Sequence, residues 1–233
     1  NLYKDLCDMG FIGLPYAKEY GGQGLGYMEY ALAVEEISKV DPSLGVSFSV
    51  ATSLYGGSLY FSEATDEQLK RFMPPVLRDG HLGSFGLTEP TAGSDVSGML
   101  TFAQRDGDEY IINGSKVFST HSPEAELFLI YVRFGPGVGG IGSVLIEKGT
   151  PGFVVGQPSS FMNGEQWSQL YFENCRIPKE NVLLGAGGFK KQISGFNVER
   201  LGNSSRALAL GRYAFNHARE HALTRKQFGR ELC

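Results

Sequence analysis

The sequence has no long apolar segment, no cluster of basic residues and few cysteines, and each absence excludes a class of protein. The longest apolar runs, such as 127–132, are far too short to span a bilayer. A net charge of −4 without a Lys/Arg cluster argues against nucleic acid or an anionic membrane surface as the main partner. The three widely spaced cysteines, Cys7, Cys175 and Cys233, form no metal-binding motif, so no metal site is expected, and they suit a reducing compartment.

The composition is that of folded globular material. Of the 233 residues, 42% are hydrophobic and 20% are charged, enough for one large core or two modest ones. The 32 glycines indicate many turns and close backbone approaches, as a β domain or a cofactor site requires. Disorder is therefore not expected.

Residues 1–82 are predicted to be helical. An apolar stripe opposed by charged residues runs through 29–39, and Asp41-Pro42 is expected to end that helix. The segment 43–61 is dominated by Ser, Ala, Gly and Leu, which predicts a buried helix with a thin surface. A capping box at 65–68 begins a short third helix, and Pro74-Pro75 is expected to end it.

From about residue 82 to 185 the hydrophobic period changes to two. Asp106-Gly107 and Asn113-Gly114 are hairpin-turn signals, and they divide the first part into strands at 101–105, 109–112 and 115–119. Further strands are predicted at 127–134, 141–147, 153–157 and 169–176. Seven or eight short strands with almost no helix predict a sandwich or a barrel. From Phe189 onward the pattern is helical again, with interspersed small residues that allow close approach of a helix or a flat ligand.

The stretch 85–95 reads Phe-Gly-Leu-Thr-Glu-Pro-Thr-Ala-Gly-Ser-Asp. It begins as a strand and breaks at Pro90 into a loop of small residues whose backbone N–H groups could hold an anion. On composition alone, a plain strand-to-turn junction explains it better. The run Leu-Thr-Glu-Pro-x-Ala-Gly-Ser-Asp, however, resembles the flavin-binding signature of the acyl-CoA dehydrogenase family, and this signature is long and specific.

The resemblance covers essentially the whole chain. Five further blocks come in the family's order and at similar spacing: 15–22, 113–116, 172–178, Glu199-Arg200 and 225–229. It implies an α+β multidomain fold with an N-terminal helical domain (1–82), a middle antiparallel β-barrel or sandwich domain (83–187) and the start of a C-terminal helical domain (188–233). Because the family has further N-terminal helices and a C-terminal helical bundle, the chain is expected to be a fragment.

The resemblance implies that FAD lies between the β domain and the C-terminal helices. Leu87 and Thr88 match backbone and hydroxyl contacts to the pyrimidine edge of the flavin. Ser94 matches a small hydroxyl that meets the flavin pyrophosphate or the substrate. Phe85 stands where the family has an aromatic or apolar residue.

The segment Phe118-Ser119-Thr120 is similar to the family's Trp-Ile-Thr or Phe-Ile-Thr. The resemblance implies that Phe118 covers a face of the isoalloxazine ring and that Thr120 approaches flavin N5. Ser119 replaces the usual Ile, and His121 replaces an Asn, as a turn histidine expected to be solvated. The stretch 161–168 lacks the family's Lys-x-Gly and Ser/Thr-Arg features, so the resemblance does not determine which residues contact the CoA part of the substrate.

The segment with Arg225, Gln227 and Phe228 resembles one that, in the family, reaches the FAD of a neighbouring subunit. An arginine there would give charge-assisted hydrogen bonds to a pyrophosphate. A homo-oligomer, dimer or tetramer, is accordingly expected for the full-length protein. Without the resemblance, a basic helix end favoured by the helix dipole is the simpler interpretation.

Glu199 is the predicted catalytic base. The run Asn197-Val198-Glu199-Arg200 is similar to the Asp-x-Glu-Arg of isovaleryl-CoA dehydrogenase and some relatives, where the glutamate on this helix removes the α-proton. These four residues are accordingly the expected substrate side of the site, together with Ser94. Two alternatives stay open: a solvated helix carboxylate, and a base carried on the C-terminal bundle, as in most of the family.

The implied activity is α,β-desaturation of an acyl-CoA thioester, with an electron-transfer flavoprotein as the electron acceptor, in the cytoplasm or, in a eukaryote, the mitochondrial matrix. A related flavoenzyme of the same fold, such as an acyl-CoA oxidase, a nitroalkane oxidase or a monooxygenase, is the first alternative. A non-catalytic binding fragment is the second. Oxygen reactivity of the reduced flavin and tight FAD binding, respectively, discriminate them.

Overall fold

The computed structural model describes residues 2–233, which begin and end in helical parts around a β domain. The N-terminal part consists of α1 (Leu2–Asp8), α2 (Tyr27–Val40), α3 (Pro42–Ser49), a π-helical segment (Val50–Gly56), α4 (Gly57–Tyr60) and α5 (Asp66–Leu77). The C-terminal part consists of α6 (Phe189–Ser194), α7 (Phe196–Thr224) and a hairpin of β10 (Lys226–Gln227) and β11 (Arg230–Glu231). The predicted order of helical, β and helical parts is confirmed.

Capping residues separate the N-terminal helices where the sequence indicates. Asp41 follows the last residue of α2, and its carboxylate accepts from the Leu44 backbone N–H at 2.9 Å at the start of α3. Thr65 and Gln68 form the predicted capping box of α5, with 3.2 Å and 3.0 Å between the paired side-chain and backbone atoms. Because α3, the π-helical segment and α4 follow without a break, the segment from 42 to 60 is one continuous, largely buried helical rod.

The prediction that Pro74-Pro75 ends α5 is wrong. Both prolines lie inside the helix, which continues to Leu77. Val76 and Leu77 are fully buried, so their packing holds the last turn although two backbone N–H groups are missing. The Pro74 carbonyl still accepts from the N–H of Arg78 at 2.9 Å, and this bond closes the helix.

The β domain is built on one nine-stranded sheet. Its strands are β1 (Gly83–Gly86), β2 (Phe102–Asp106), β3 (Glu109–Thr120), β4 (Leu127–Arg133), β5 (Ile141–Glu147), β6 (Phe153–Val155), β7 (Ser159–Ser160), β8 (Gln166–Pro178) and β9 (Val182–Leu184). The order is β6-β8-β3-β2-β4-β5-β9, with β1 added to β4 and β7 to β8. Most pairs are antiparallel as predicted, but β1 and β2 each pair with β4 in parallel.

The predicted hairpin at Asn113-Gly114 is also wrong. Residues 109–120 form one long strand, and the ladder to β8 shifts register between Ile112 and Gly114. Gly114 has φ 141° and lies against Thr101, where an added Cβ would come within 2.6 Å of the Thr101 Cα. The glycine therefore serves a bulge and a close backbone approach rather than a turn. The hairpin at Asp106-Gly107 is confirmed, between β2 and β3.

Two apolar clusters flank the central strand β4. Alternate residues Leu127, Leu129 and Tyr131 join the cluster formed with the N-terminal helices, α6 and α7. Their neighbours along the strand point into a second cluster inside the β domain, where β6 and β8 fold over the sheet. The helices thus cover one face of the sheet, and the site described below lies along that junction. None of the helices in residues 2–233 combines the length and apolar character that a membrane span requires.

Candidate active site

The signature stretch leaves the sheet at the junction with the helices. The Phe85 ring on β1 lies 5.2 Å from the Tyr131 ring and 5.8 Å from the Phe196 ring of α7, measured between centroids. Leu87 and Thr88 are half-buried, and the Thr88 carbonyl accepts from the Val117 N–H of β3 at 2.9 Å. The first part of the predicted flavin loop is thereby held against β3. Ser94 lies further out on an exposed turn.

A buried ion pair holds the loop in place. The Glu89 carboxylate lies 2.7 Å from Lys116 Nζ on β3, and the two side chains are 3% and 0% exposed. The same carboxylate accepts from the N–H groups of Leu100 and Thr101 at 2.6 and 2.9 Å, while Lys116 also donates to the Leu87 carbonyl at 3.2 Å. Burial lowers the pKa of Lys116 to about 8 despite the attraction of Glu89. These bonds connect both ends of the loop to β3.

Phe118 is a partly exposed aromatic residue near the end of β3. Phe118 has a positive φ of 58°, at the second register shift between β3 and β8. Its side chain is 54% exposed and lies against Trp167 of β8, with 4.7 Å between ring centroids. A partly exposed aromatic pair of this kind offers a surface on which a planar ring system could stack.

Ser119 and Thr120 follow at the end of β3. Ser119 is fully buried, and its hydroxyl has no hydrogen-bond partner among residues 2–233. Thr120 is half-buried, and its carbonyl accepts from the Ser84 hydroxyl of β1 at 2.8 Å. That bond fixes the backbone of Thr120 next to the signature strand.

The prediction that His121 is a solvated turn residue is wrong. Its side chain is only 10% exposed, with a positive φ of 62°, and its Nε2 lies 2.7 Å from Ser47 Oγ of α3 and 3.6 Å from Glu165 Oε1. Burial lowers the pKa of His121 to about 4, so the imidazole is neutral at pH 7. The β domain and the N-terminal helices meet through this contact.

Glu199 is buried against the helical rod of residues 42–60. Its side chain is 13% exposed, and one carboxylate oxygen, Oε2, accepts from the Ser49 hydroxyl at 3.3 Å and from the Ser53 hydroxyl. The other oxygen, Oε1, accepts from Asn203 Nδ2 at 3.0 Å and lies 3.6 Å from the Arg206 guanidinium. Burial raises the pKa of Glu199, and the hydrogen bonds and Arg206 offset only part of that effect. A carboxylate in this environment can take up a proton more readily than a solvated one.

The other residues of that run lie apart from the Glu199 carboxylate. Val198 is buried in the helical core, whereas Asn197 and Arg200 are exposed and bond to each other at 3.0 Å. This separation follows from the rotation of about 100° between successive helical residues. Of the four, Glu199 is the residue whose side chain hydrogen-bonds to the helical rod.

Arg225, Gln227 and Phe228 lie in the exposed hairpin after α7, far along the chain from the loop of Leu87 and Thr88. Phe228, with a positive φ of 53°, is fully exposed at the hairpin tip. Leu232 returns to the helix, where its N–H donates to the Ala222 carbonyl at 3.1 Å. The hairpin is therefore docked on its own helix while its tip is free to contact another surface.

Comparisons with known proteins identify the family of the chain. Three domain models match in order: "Acyl-CoA dehydrogenase, N-terminal domain" at residues 1–79, "middle domain" at 84–175 and "C-terminal domain" at 186–233. The chain belongs to the acyl-CoA dehydrogenase family. Members of the family are FAD flavoproteins, which agrees with the predicted cofactor.

Individual relatives are similar along the whole chain. The short-chain specific acyl-CoA dehydrogenase of Clostridium acetobutylicum is 38% identical over 98% of this chain and 62% of its own length. The mitochondrial isovaleryl-CoA dehydrogenase of Oryza sativa subsp. japonica is 35% identical over 100% of this chain and 58% of its own length. A chain in the solved structure of the electron transferring flavoprotein of Acidaminococcus fermentans is 38% identical, with a TM-score of 0.93 over 99% of this chain and 62% of that one. The chain thus spans about three fifths of the length of these relatives.

Sequence reasoning missed several polar residues of the site. Glu89 and Lys116 are 27 positions apart in the sequence, and nothing in the local pattern pairs them. In the sequence, nothing distinguishes Ser49, Ser53 and Arg206 from other helical residues. They contact the Glu199 carboxylate because the helical rod packs against α7. Within residues 2–233 the structure shows no group of three or more His, Cys, Asp and Glu that could hold a metal ion.

Proposed function

We propose that the protein to which this chain belongs is an FAD-dependent acyl-CoA dehydrogenase that desaturates an acyl-CoA thioester between its α- and β-carbons. The observation that carries the proposal is the buried Glu199 carboxylate, whose pKa is raised by burial. It lies on the same helix as Phe196, which contacts the Phe85 ring of the flavin signature. The similarity to short-chain and isovaleryl-CoA dehydrogenases supports the choice of reaction.

Glu199 takes the α-proton in this proposal. Exclusion of water by the substrate would strengthen the base, because a buried carboxylate loses solvation that favours its charged form. Ser49, Ser53 and Asn203 hold the carboxylate in one orientation through hydrogen bonds. Arg206 compensates its charge before the proton arrives.

The residues proposed to hold FAD fit a planar group with a phosphate tail. They are Phe85, Leu87, Thr88, Ser94, Phe118, Ser119 and Thr120 in one subunit, and Arg225, Gln227 and Phe228 in its neighbour. FAD, when bound, accepts a hydride and passes electrons on singly. The Thr120 hydroxyl is proposed to stand at flavin N5, with its backbone fixed by the bond from Ser84.

Asn197, Val198, Arg200 and Ser94 are proposed to contribute to the substrate side. Val198 acts there by packing α7 onto the core, which sets the position of Glu199. Asn197 and Arg200 are exposed and are proposed to contact parts of the protein or substrate outside this chain. The acyl-CoA substrate, homo-oligomerisation and a compartment in the cytoplasm or mitochondrial matrix belong to the same proposal.

An electron-transfer flavoprotein is the proposed electron acceptor. The support is the similarity to a chain in the solved structure of the electron transferring flavoprotein of Acidaminococcus fermentans. A reduced flavin that passes electrons to such a partner should react slowly with oxygen. Rapid turnover with oxygen as the only acceptor would instead place the protein among the oxidases of this fold.

The proposal is tested by Glu199→Gln in the full-length protein, with anaerobic stopped-flow measurement of flavin reduction by butyryl-CoA and isovaleryl-CoA. The variant should keep its FAD, because the amide can retain most hydrogen bonds, and reduction should slow by on the order of a hundredfold or more. Glu220→Gln, an exposed position on the same helix, is the matched control and should reduce at the wild-type rate. An unchanged rate in Glu199→Gln would remove this residue from proton abstraction.

A further inference from the structure

A second polar site lies between the N-terminal helices and the β domain. It is a cavity of about 390 Å³ between α3 and the loops that follow β3 and precede β8, lined by Ser43, Ser47, His121, Glu124, Asn163 and Glu165 among others. His121 directly follows Thr120, and Ser47 is two residues from Ser49, which contacts Glu199. The lining residues His121 and Ser47 are therefore close neighbours, along the chain, of residues in both halves of the proposed site.

The floor of the cavity carries two buried side chains with unmet polar atoms. The side chains of His121 and Glu165 are 10% and 8% exposed. Neither His121 Nδ1 nor Glu165 Oε1 has a hydrogen-bond partner within residues 2–233. Burying a polar atom without a partner is unfavourable, so the pair points to a missing ligand.

The hydrogen bonds around Ser47 determine which proton the imidazole carries. The Ser47 hydroxyl donates to the Ser43 carbonyl at 3.1 Å, and a hydroxyl has only one proton to give. Ser47 Oγ must then accept from His121 Nε2–H at 2.7 Å. In a neutral imidazole this leaves Nδ1 as an acceptor. Both unmet atoms are thus acceptors, and both require a donor from the ligand.

The charge of the cavity favours a cationic donor. Glu165 lies on the floor and Glu124 on the rim, and the residues lining the cavity include no lysine or arginine. His121 adds no positive charge at pH 7, since burial keeps it neutral. Arg206 of α7 attracts Glu165, but its guanidinium lies 3.6 Å from Glu199 Oε1 and also bonds to Asn203. A protonated amine would supply both the N–H donors and the compensating charge.

We propose that this cavity binds the ammonium group of an amine-bearing acyl substrate, held by Glu165 Oε1 and His121 Nδ1. The inference rests on the proposed dehydrogenase function and names its substrate class: thioesters of amino acids rather than of plain aliphatic acids. A metal ion is disfavoured, because no group of three or more His, Cys, Asp and Glu side chains within residues 2–233 is arranged so that it could hold one.

The test compares matched thioesters on the full-length, FAD-loaded protein: 2-aminobutyryl-CoA with butyryl-CoA, and 6-aminohexanoyl-CoA with hexanoyl-CoA. At least one amino compound should be favoured by about tenfold in kcat/KM, as expected for a charge-assisted hydrogen bond. Glu165→Gln should lose that preference and still turn over butyryl-CoA. Glu173→Gln, an exposed position on β8, should keep it.

A second readout does not depend on turnover. In thermal unfolding, n-butylammonium chloride should raise Tm of the wild type and of Glu173→Gln but not of Glu165→Gln, and n-butanol should raise none of them. Equal kcat/KM within both pairs, with normal turnover of butyryl-CoA, would overturn the ammonium site and leave the proposed function intact. If no thioester reduces the flavin, the proposed function fails, and absence of the ammonium-specific Tm shift would then overturn the ammonium site separately.

Discussion

The imidazole of His121 is held neutral by burial between α3 and the loop before β8. Its folded pKa of about 4 lies below the ordinary value of 6.5. Between these values the unfolded chain binds the proton and the folded protein does not, so His121 destabilises the fold progressively as pH falls from 6.5 towards 4. Glu165 faces His121, and its effect on stability has the opposite sign. Burial raises the pKa of Glu165, so the folded state binds the proton more readily than the unfolded chain, and acid favours the folded state at this residue.

We predict that His121→Asn removes the histidine contribution while preserving the left-handed backbone, which asparagine tolerates. The free energy of unfolding should fall less steeply with acid in the variant than in the wild type, by up to roughly 3 kcal/mol between pH 6.5 and pH 4. Urea unfolding at a series of pH values measures the free energy of unfolding of both proteins. Glu165 is present in both, so its contribution is shared and the difference between the two profiles reports on His121. His217→Asn, on the exposed part of α7, is the control. Parallel profiles for His121→Asn and the wild type would contradict the prediction.

At the scale of elements, β3 organises the junction of sheet and helices. Its two register shifts place Gly114 against Thr101 and turn Phe118 outward, while Lys116 between them holds the signature loop. One strand thus supplies the support for Leu87 and Thr88 and the aromatic surface of the proposed flavin site. Burial by itself would raise the pKa of Glu89. The charge and hydrogen bond of Lys116 and the hydrogen bonds from Thr101 and Leu100 outweigh that effect, so the net pKa of Glu89 lies below its ordinary value. The carboxylate is ionised at pH 7.

The Glu89–Lys116 pair gives a prediction at this scale. Lys116→Met should destabilise the protein by about 3–5 kcal/mol, because it leaves a buried carboxylate without its cation. Adding Glu89→Gln should restore part of that loss, so the double variant should be more stable than the sum of the single variants. Urea unfolding measures the four stabilities of this double-mutant cycle. The FAD content of the full-length protein should also decrease in Lys116→Met, because the loop with Leu87 and Thr88 loses its support.

The control is Lys179→Met, which breaks an exposed ion pair with Asp108. It should leave the unfolding midpoint close to that of the wild type. Additive effects at Glu89 and Lys116 would show that the two are not coupled.

At the scale of the whole molecule, α7 changes character along its length. Its first half, through Ala209, packs on the N-terminal helices, while the residues from Leu210 to Thr224 are exposed apart from the half-buried Ala222. Leu210, Tyr213, Phe215 and Leu223 are among the exposed apolar side chains. A helix of this kind, followed by a docked hairpin with Phe228 at its tip, suits contact with a further surface.

We predict that Phe228→Ser in the full-length protein lowers FAD content without unfolding the subunit. The side chain is fully exposed in the isolated subunit, so its loss costs the fold little. In the proposed oligomer it would contact the FAD of the neighbouring subunit. The ratio of flavin to protein absorbance and the mass by light scattering measure the effect, with Glu231→Gln on the same hairpin as control. Unchanged flavin content and mass would place the hairpin in solvent in the assembly.

Local pattern sufficed for the elements whose signals are local. The Thr65 capping box, the break at Asp41-Pro42, the hairpin at Asp106-Gly107 and the change of period near residue 82 each depend on neighbouring residues, and each was predicted. The family resemblance likewise needs only the order of short motifs. The resemblance correctly predicted the fold class, the cofactor and the family. The individual site contacts and the domain boundaries stay predictions.

Packing decided the rest. Pro74-Pro75 lies inside α5 because buried Val76 and Leu77 stabilise a turn that the prolines weaken. Asn113-Gly114 forms a bulge because Thr101 lies against Gly114. The burial of His121, the pairing of Glu89 with Lys116 and the hydrogen bonds of Glu199 all join residues from separate elements. Desolvation and ion pairing depend on what surrounds a group in three dimensions, so the protonation behaviour of these residues follows from tertiary structure alone.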